Sequence, residues 1–367
     1  MNSKERVIMA LNLKEPDLIP IHDSLWPSTV KRWEQEGLPQ NTNVRDFFGY
    51  DMVWIQPDYT PQYSYKLIKE NRNYIIERNR FGELIKNYND YSTTPQIIDS
   101  MVKDKKDWEK LKERLVINNS RFISFNNILD PKPNAVLSWD KTLKNFNEDK
   151  KKGRAICFQL LTGFDMIQRY LGTEKLLIAM IEEPDWAKEM FMTHAEFVIE
   201  LYKLLVENGL RFDVVLTAND MAYRNTTLFS PKCYKELIFP ADRLICEFFH
   251  SLSIPIILHS DGNIRGFIPY LIEAGFDCIQ PLEVKAGMDI ISLKKEYGDR
   301  LCFMGGIDTR LMSDNDPTKI EEEIKIKFEI AKKSGGYIYH SDHSIPDNIS
   351  FSQYKHVMQV VRKYAKY

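Results

Sequence analysis

Short apolar runs recur along the chain, and amphipathic segments separate most of them. The runs are Leu18-Ile-Pro-Ile21, Met52-Val-Trp-Ile55, Ala155-Ile-Cys-Phe-Gln-Leu160, Asp213-Val-Val-Leu-Thr217, Pro255-Ile-Ile-Leu258, Asp277-Cys-Ile-Gln280, Leu301-Cys-Phe-Met304 and Tyr337-Ile-Tyr339. Such short, near-continuous runs bounded by turn residues predict strands of a parallel sheet buried on both faces. The intervening segments carry helix signals. Glu182-Glu-Pro-Asp opens an amphipathic run to Asn208-Gly209, and Ser230-Pro-Lys places Ser at an N-cap with Pro behind it. A run from Asn263 stops at Gly275, Asp316-Pro opens another helix, and Ser350 to Tyr367 reads as a closing helix. Eight strands alternating with helices predict a (β/α)8 TIM barrel, one domain spanning 1–367. A doubly wound open sheet is the alternative.

The interval 57–154 is too long for a single helix. Within it, Asn73-Tyr-Ile-Ile-Glu-Arg and Glu83-Leu-Ile-Lys-Asn-Tyr, joined through Phe81-Gly82, predict a β-hairpin, and a helix follows over Lys103 to Val116. We read 57–154 as an insertion between strands 2 and 3, lying over the barrel mouth.

A barrel carries its chemistry at the carboxyl ends of its strands. One apolar run stops at His259, with Asp261 and the turn residue Gly262 behind it. Another ends in Tyr339-His-Ser-Asp-His343. Two His-rich strand ends on one rim make a metal site the natural candidate. Asp261 has a competing role as a helix cap, and His340 or Asp342 can stand in for His343. Glu283, after the sixth strand, is a candidate general acid or fourth ligand, or else a solvated loop acid. Asp220, after the fourth, either orients substrate or a metal-bound His, or caps its loop. Asp308 behind Gly305-Gly306 is placed to hydrogen-bond the rim. His22, Asp23, Trp26, Tyr223 and His340 complete the candidate pocket, with Trp54 and Tyr59 as further aromatic wall, although Trp and Tyr usually serve packing.

The net charge of −2 gives no field that would gather nucleic acid or a membrane surface. No apolar stretch approaches the roughly 20 residues of a spanning helix, and the N-terminus lacks signal-peptide features, so a cytoplasmic location is expected. The five cysteines form no CxxC pair, and Cys157, Cys278 and Cys302 lie in predicted strands, which favours buried inert thiols over disulfides. The P-loop and GxGxxG patterns are absent, against nucleotide binding.

Several segments together resemble the uroporphyrinogen decarboxylase superfamily: Lys4-Glu-Arg-Val through Pro20, Ser230-Pro-Lys through Pro240, His259-Ser-Asp-Gly-Asn, Gly298-Asp-Arg through Asp308, and Gly335-Gly-Tyr-Ile. The resemblance covers nearly the whole chain and implies one of two chemistries. The decarboxylase branch uses an arginine-rich Arg-Gln-Ala-Gly-Arg motif after the first strand to hold carboxylates. Here that segment reads Ile21-His-Asp-Ser-Leu-Trp-Pro, without paired arginines and with Asp23 to repel carboxylates. The zinc methyltransferase branch, similar to methylcobamide:coenzyme M methyltransferase, carries His-x-Cys after the fifth strand and Cys after the eighth. By resemblance His259 matches the His, Asp261 replaces the first Cys, and His343 falls where the second is expected. An N/O/N set remains suited to zinc and makes the ion more electrophilic than a thiolate set does. The resemblance implies methyl transfer between a small methylated substrate and a corrinoid. The chain shows no Asp-x-His-x-x-Gly corrinoid module, so the corrinoid is expected on a partner protein. Decarboxylation of a porphyrinogen or smaller acid, and a non-catalytic binding barrel, are the alternatives. A homodimer fits a barrel of this kind.

Overall fold

The protein is described by a computed structural model covering residues 1–89, 95–128 and 135–367. It is an α/β fold with a mostly parallel central sheet. Seven parallel strands follow in spatial order: Met52–Pro57, Ala155–Leu161, Val214–Ala218, Ile256–His259, Cys278–Gln280, Cys302–Met304 and Tyr337–Ile338. Helices including Pro184–Glu207, Phe239–Ser251, Pro317–Ala331 and Phe351–Tyr364 connect or follow them. Among the described residues no helix is long and apolar enough to cross a membrane.

The segment Leu18–Ile21, expected as the first strand, forms no ladder. Pro20 has no N–H to give. Its carbonyl nevertheless accepts the Tyr339 N–H at 2.8 Å, the His22 N–H donates to Tyr339 O at 3.1 Å, and the Asp51 N–H donates to Ile21 O at 2.7 Å. These bonds tie the segment to the last parallel strand on one side and, through Asp51, to the start of the first on the other.

Alternation along the strands sorts side chains into two cores. An outer core packs strands against helices. An inner one gathers Met52, Cys157, Leu216, Ile257, Cys278, Met304 and Ile338, at least one residue from each of the seven strands. The helix Ser3–Leu11 adds Val7, Ala10 and Leu11 to it. That helix is fixed by an Asn2–Glu5 capping box, by Arg6 on Asp17 and Asp51 at 2.8 and 2.9 Å, and by Lys4 on Asp213 at 2.6 Å. The five cysteines are free, and burial pushes the Cys157 and Cys278 thiols well up, away from the reactive thiolate.

Within 57–154 the expected hairpin is present: Tyr74–Arg78 pairs antiparallel with Leu84–Tyr88. Lys66–Glu70 and Gln96–Asp99 extend it to four strands. The helix expected over Lys103 to Val116 is shorter, Lys105–Lys112, with Asp104 as its cap. Two further strands, Ile123–Phe125 and Val136–Ser138, join the open edge of Met52–Pro57 antiparallel, and the helix Trp139–Lys151 leads back into the sheet. Sequence periodicity did not reveal the two strands, because each is only three residues long, and the helix was not singled out either.

After the Ser230 cap the backbone widens into a π turn at Tyr234–Ile238 before Phe239–Ser251. Beneath it the buried Asp242 accepts a hydrogen bond from the Tyr234 hydroxyl at 2.8 Å. Burial lifts this carboxyl to about 7, the Tyr234 bond offsetting part of the rise. A folded value above the unfolded one means stability that is complete at low pH and lost as pH climbs toward 7. Asp242→Asn should therefore flatten the stability profile. In urea melts at pH 5 and pH 8, the native chain should lose on the order of a few kcal/mol relative to the variant at the higher pH. Parallel profiles would refute the assignment.

Candidate metal centre

Strand register builds the centre. Ile256, Ile257 and Leu258 are fully buried, so the strand cannot slip, and the next side chain, His259, emerges at its carboxyl end. Parallel pairing sets His259 beside Ala218 on one side and Gln280 on the other. Asp220 follows the Ala218 strand, and Asp261 sits on the turn after His259. Gly262 makes that turn possible: its φ is +81°, and a Cβ there would lie 2.6 Å from the Tyr223 carbonyl oxygen.

His259 Nε2 lies 3.8 Å from Asp220 Oδ1 and 4.0 Å from Asp261 Oδ1. Ligand atoms of the three residues fall within 4.8 Å of one another. Asp220 Oδ1 also accepts the Asp261 N–H at 2.8 Å, which fixes the two carboxylates relative to each other. Behind the imidazole, His259 Nδ1–H donates to Gln280 Oε1 at 2.5 Å, and Gln280 Nε2 donates to His340 Nε2 at 3.3 Å. His340 Nδ1–H is spent on Ser341 O at 2.6 Å. This chain selects the His259 tautomer whose Nε2 lone pair faces the carboxylates. Burial lowers the pKa of His259, but Asp261, Asp220 and the Gln280 bond together raise it above the ordinary value. Desolvation raises Asp220, against the pull of His259.

The centre opens on a cavity of about 540 Å³. Trp26, Trp54 and Tyr59 form aromatic wall, and Glu83, Ile85 and Ile97 from the 57–154 segment face the same space. Asp165 and Arg169, on the helix Gly163–Leu171, supply further charge. Arg169 reaches Glu83 at 3.4 Å.

Residues 164–364 match the family described as uroporphyrinogen decarboxylase (URO-D). The chain belongs to that family. A curated relative, the methylated-thiol–coenzyme M methyltransferase of Methanosarcina mazei, is 24% identical over 166 residues, 44% of this chain and 41% of that protein. The chain thus aligns with about two-fifths of the relative's length. A solved methyltransferase structure from Methanosarcina mazei superposes with a TM-score of 0.67 at 15% identity, covering 99% of both chains. That likeness establishes a shared fold.

On this URO-D fold the expected site residues divide. His259 and Asp261 stand together as read from sequence, and Asp261 does not cap the following helix Arg265–Phe267, whose first N–H is accepted by Asn263 Oδ1 at 3.2 Å. His343, expected as third ligand, is next to the group but outside its tightest part. Its Nε2 is 3.6 Å from Asp261 Oδ2, and its ring stacks on Trp26 at 6.5 Å between centroids. Asp220, assigned an orienting role, takes the third place in the group instead. His340 is held from behind, with Ser24 Oγ also donating to its Nε2 at 3.2 Å, and Asp342 is occupied by Thr309 and the Val284 N–H. Neither stands in for His343.

Glu283 is occupied too: it accepts the Gly262 N–H at 2.9 Å and pairs with Lys285 at 2.8 Å, so it braces the turn. Asp308 caps the helix Thr309–Met312 and is clamped by Arg310 at 2.6 Å. Burial raises its pKa, but the bonds to Arg310 outweigh that and lower it. Tyr223 is 60% exposed and lines neither cavity; its carbonyl serves the turn, accepting the Asn263 N–H at 2.9 Å. Asp23 is a buried tie, accepting from Tyr354 OH at 2.9 Å, Tyr339 OH at 3.2 Å and Ser341. His22 packs edge-on against Trp54 at 4.4 Å, and burial holds it neutral.

Gln280, Asp165 and Arg169 were not anticipated. Gln280 is the polar last residue of an apolar strand, as His259 is of its own. Asp165 and Arg169 are charged residues at i, i+4 on a mostly apolar helix, with Phe164, Met166 and Ile167 buried around them. Both patterns are visible in sequence once strand order is known. Gln280→Met should leave the fold intact and weaken divalent metal binding by about 10–100-fold, because Nδ1 loses its acceptor. Zinc titration against a chromophoric chelator measures this; unchanged affinity would remove Gln280 from the centre.

Proposed function

We propose that this URO-D family protein is a zinc-dependent methyltransferase, moving a methyl group between a small methylated substrate and a corrinoid carried by a partner protein. One observation carries the metal part. Asp261 Oδ1 is shielded from solvent and among the described residues has no hydrogen-bond donor, while facing His259 Nε2 and the Asp220 carboxylate. An acceptor left so is costly, and a cation satisfies it together with its neighbours. The donor set of one imidazole and two carboxylates suits zinc. We therefore assign Asp220, His259 and Asp261 as ligands, with His343 adjoining the open position. A bound ion supplies Lewis-acid polarisation of the heteroatom that carries the methyl group.

The chain's own residues do the rest. Gln280 holds the His259 ring in its ligating orientation. Asp220 and Asp261 balance the charge of a divalent ion. Trp26 and Trp54 give the substrate an apolar wall, and residues of 57–154 limit water at the reacting end. We read the sheet as a closed (β/α)8 barrel, supported by the inner core and by the Ile21 segment bonded to both sides, with 57–154 as the insertion over its mouth. Decarboxylation of a many-carboxylate porphyrinogen is the less fitting chemistry, since Asp165, Asp220 and Asp261 already line the cavity.

Protein purified without chelators should contain about one zinc per chain, and His259→Ala should lose it; less than about 0.1 per chain, unrestored by added zinc, would sink the centre. For the reaction, a reduced corrinoid protein is mixed with a panel of methyl ethers, amines and thioethers. Methylation should appear as a change in the corrinoid absorption spectrum that requires this chain. No change with any donor, alongside carbon dioxide release from uroporphyrinogen, would favour decarboxylation.

A further inference from the structure

The central cavity adjoins a second chamber of about 460 Å³, and Ser24, Trp54, Gln56, Asn127 and Gln159 line both. The chamber lies among the short helix Val44–Phe48, the strand pair Ile123–Phe125 and Val136–Ser138, and the helix Trp139–Lys151. Val53, Leu137 and Phe146 give it apolar surface. Arg45 is on its wall, and among the described residues its guanidinium makes no side-chain hydrogen bond and no ion pair.

The nearby acids are committed elsewhere. Asp149 accepts from Arg154 at 2.6 Å, Asp46 is shared by Arg154 and Lys152, and Asp23 is saturated by Tyr339, Tyr354 and Ser341. His22, also on the wall, is neutral and contributes no competing charge. Arg45 is part-buried on the chamber wall, and a guanidinium there with no protein acceptor among the described residues is open to a ligand; a planar carboxylate is the group that matches its fork. Burial accordingly lowers the pKa of Arg45, with Asp149 only partly opposing it.

We propose that this side chamber binds the carboxylate of a small apolar molecule, with Arg45 as its counter-ion. Identifying that molecule as the methylated substrate, its methyl end at the His259 centre, rests on the proposed function; carboxylate binding itself does not.

Calorimetric titration of the full chain with benzoate and its neutral isostere benzamide tests this. Benzoate should bind at least about tenfold more tightly. Arg45→Gln should abolish that preference and leave benzamide unaffected, and Arg45→Lys should keep part of it. Removal of metal by chelator, or His259→Ala, should leave the preference intact. Equal binding of the two probes, or a preference that survives Arg45→Gln, overturns the proposal. So does a preference that vanishes with the metal, which would put the carboxylate on the His259 centre. Ligand-free Arg45→Gln should melt no lower than the native chain; a lower Tm would mean that Arg45 braces the fold, and would also overturn the assignment. If the benzoate preference holds and no methylated carboxylate is demethylated, the chamber stands and the methyltransferase reading falls.

Discussion

The apolar plug at the amino ends of the parallel strands is the constraint on which the rest of the structure depends. Val7, Ala10 and Leu11 of the first helix complete a core to which every parallel strand contributes. The side chains that meet inside that end are apolar, and the charged residues beside it, such as Asp51 and Arg154, precede the strands. Polar side chains on the strands therefore emerge only at the carboxyl ends, where His259 and Gln280 stand in register. The ion pairs of Arg6 and Lys4 hold the plug from outside: Arg6–Asp51 is largely buried, whereas Arg6–Asp17 and Lys4–Asp213 each have one exposed partner and contribute mainly to orientation.

At the open end the balance reverses. Two carboxylates share one face of His259, and among the described residues they accept a single hydrogen bond, from the Asp261 N–H to Asp220. Elsewhere the same rim satisfies its acids fully: Glu283, Asp308 and Asp342 each receive two or more donors. The contrast separates acids whose donors hold loops from acids with unused acceptor capacity. Glu283, read from sequence as a general acid, fourth ligand or loop acid, stands with Asp308 among the acids whose donors hold the rim.

The 57–154 segment changes what the rim can admit. Its four-stranded sheet brings Glu83, Ile85 and Ile97 to the central cavity, and its later strand pair helps enclose the side chamber beside Arg45. The His259 group is thus positioned by the parallel sheet, and much of its surroundings by the added segment. Changes in this segment can alter what is bound without disturbing strand register.

The sequence by itself determined the alternation of strands and helices, the hairpin in the added segment, and the pairing of His259 with Asp261, because these follow from local periodicity and from neighbours two residues apart. It also determined that His259 ends a strand, since the apolar run stops there. Tertiary structure alone decided that Asp220 joins them, that Gln280 fixes the imidazole, and that His343 stands one step back. Those residues lie on different strands or loops, and their distances depend on strand order and register. Whether an acid is free or committed was likewise undecidable locally, because the donors that occupy Asp23 come from residues more than 300 positions away.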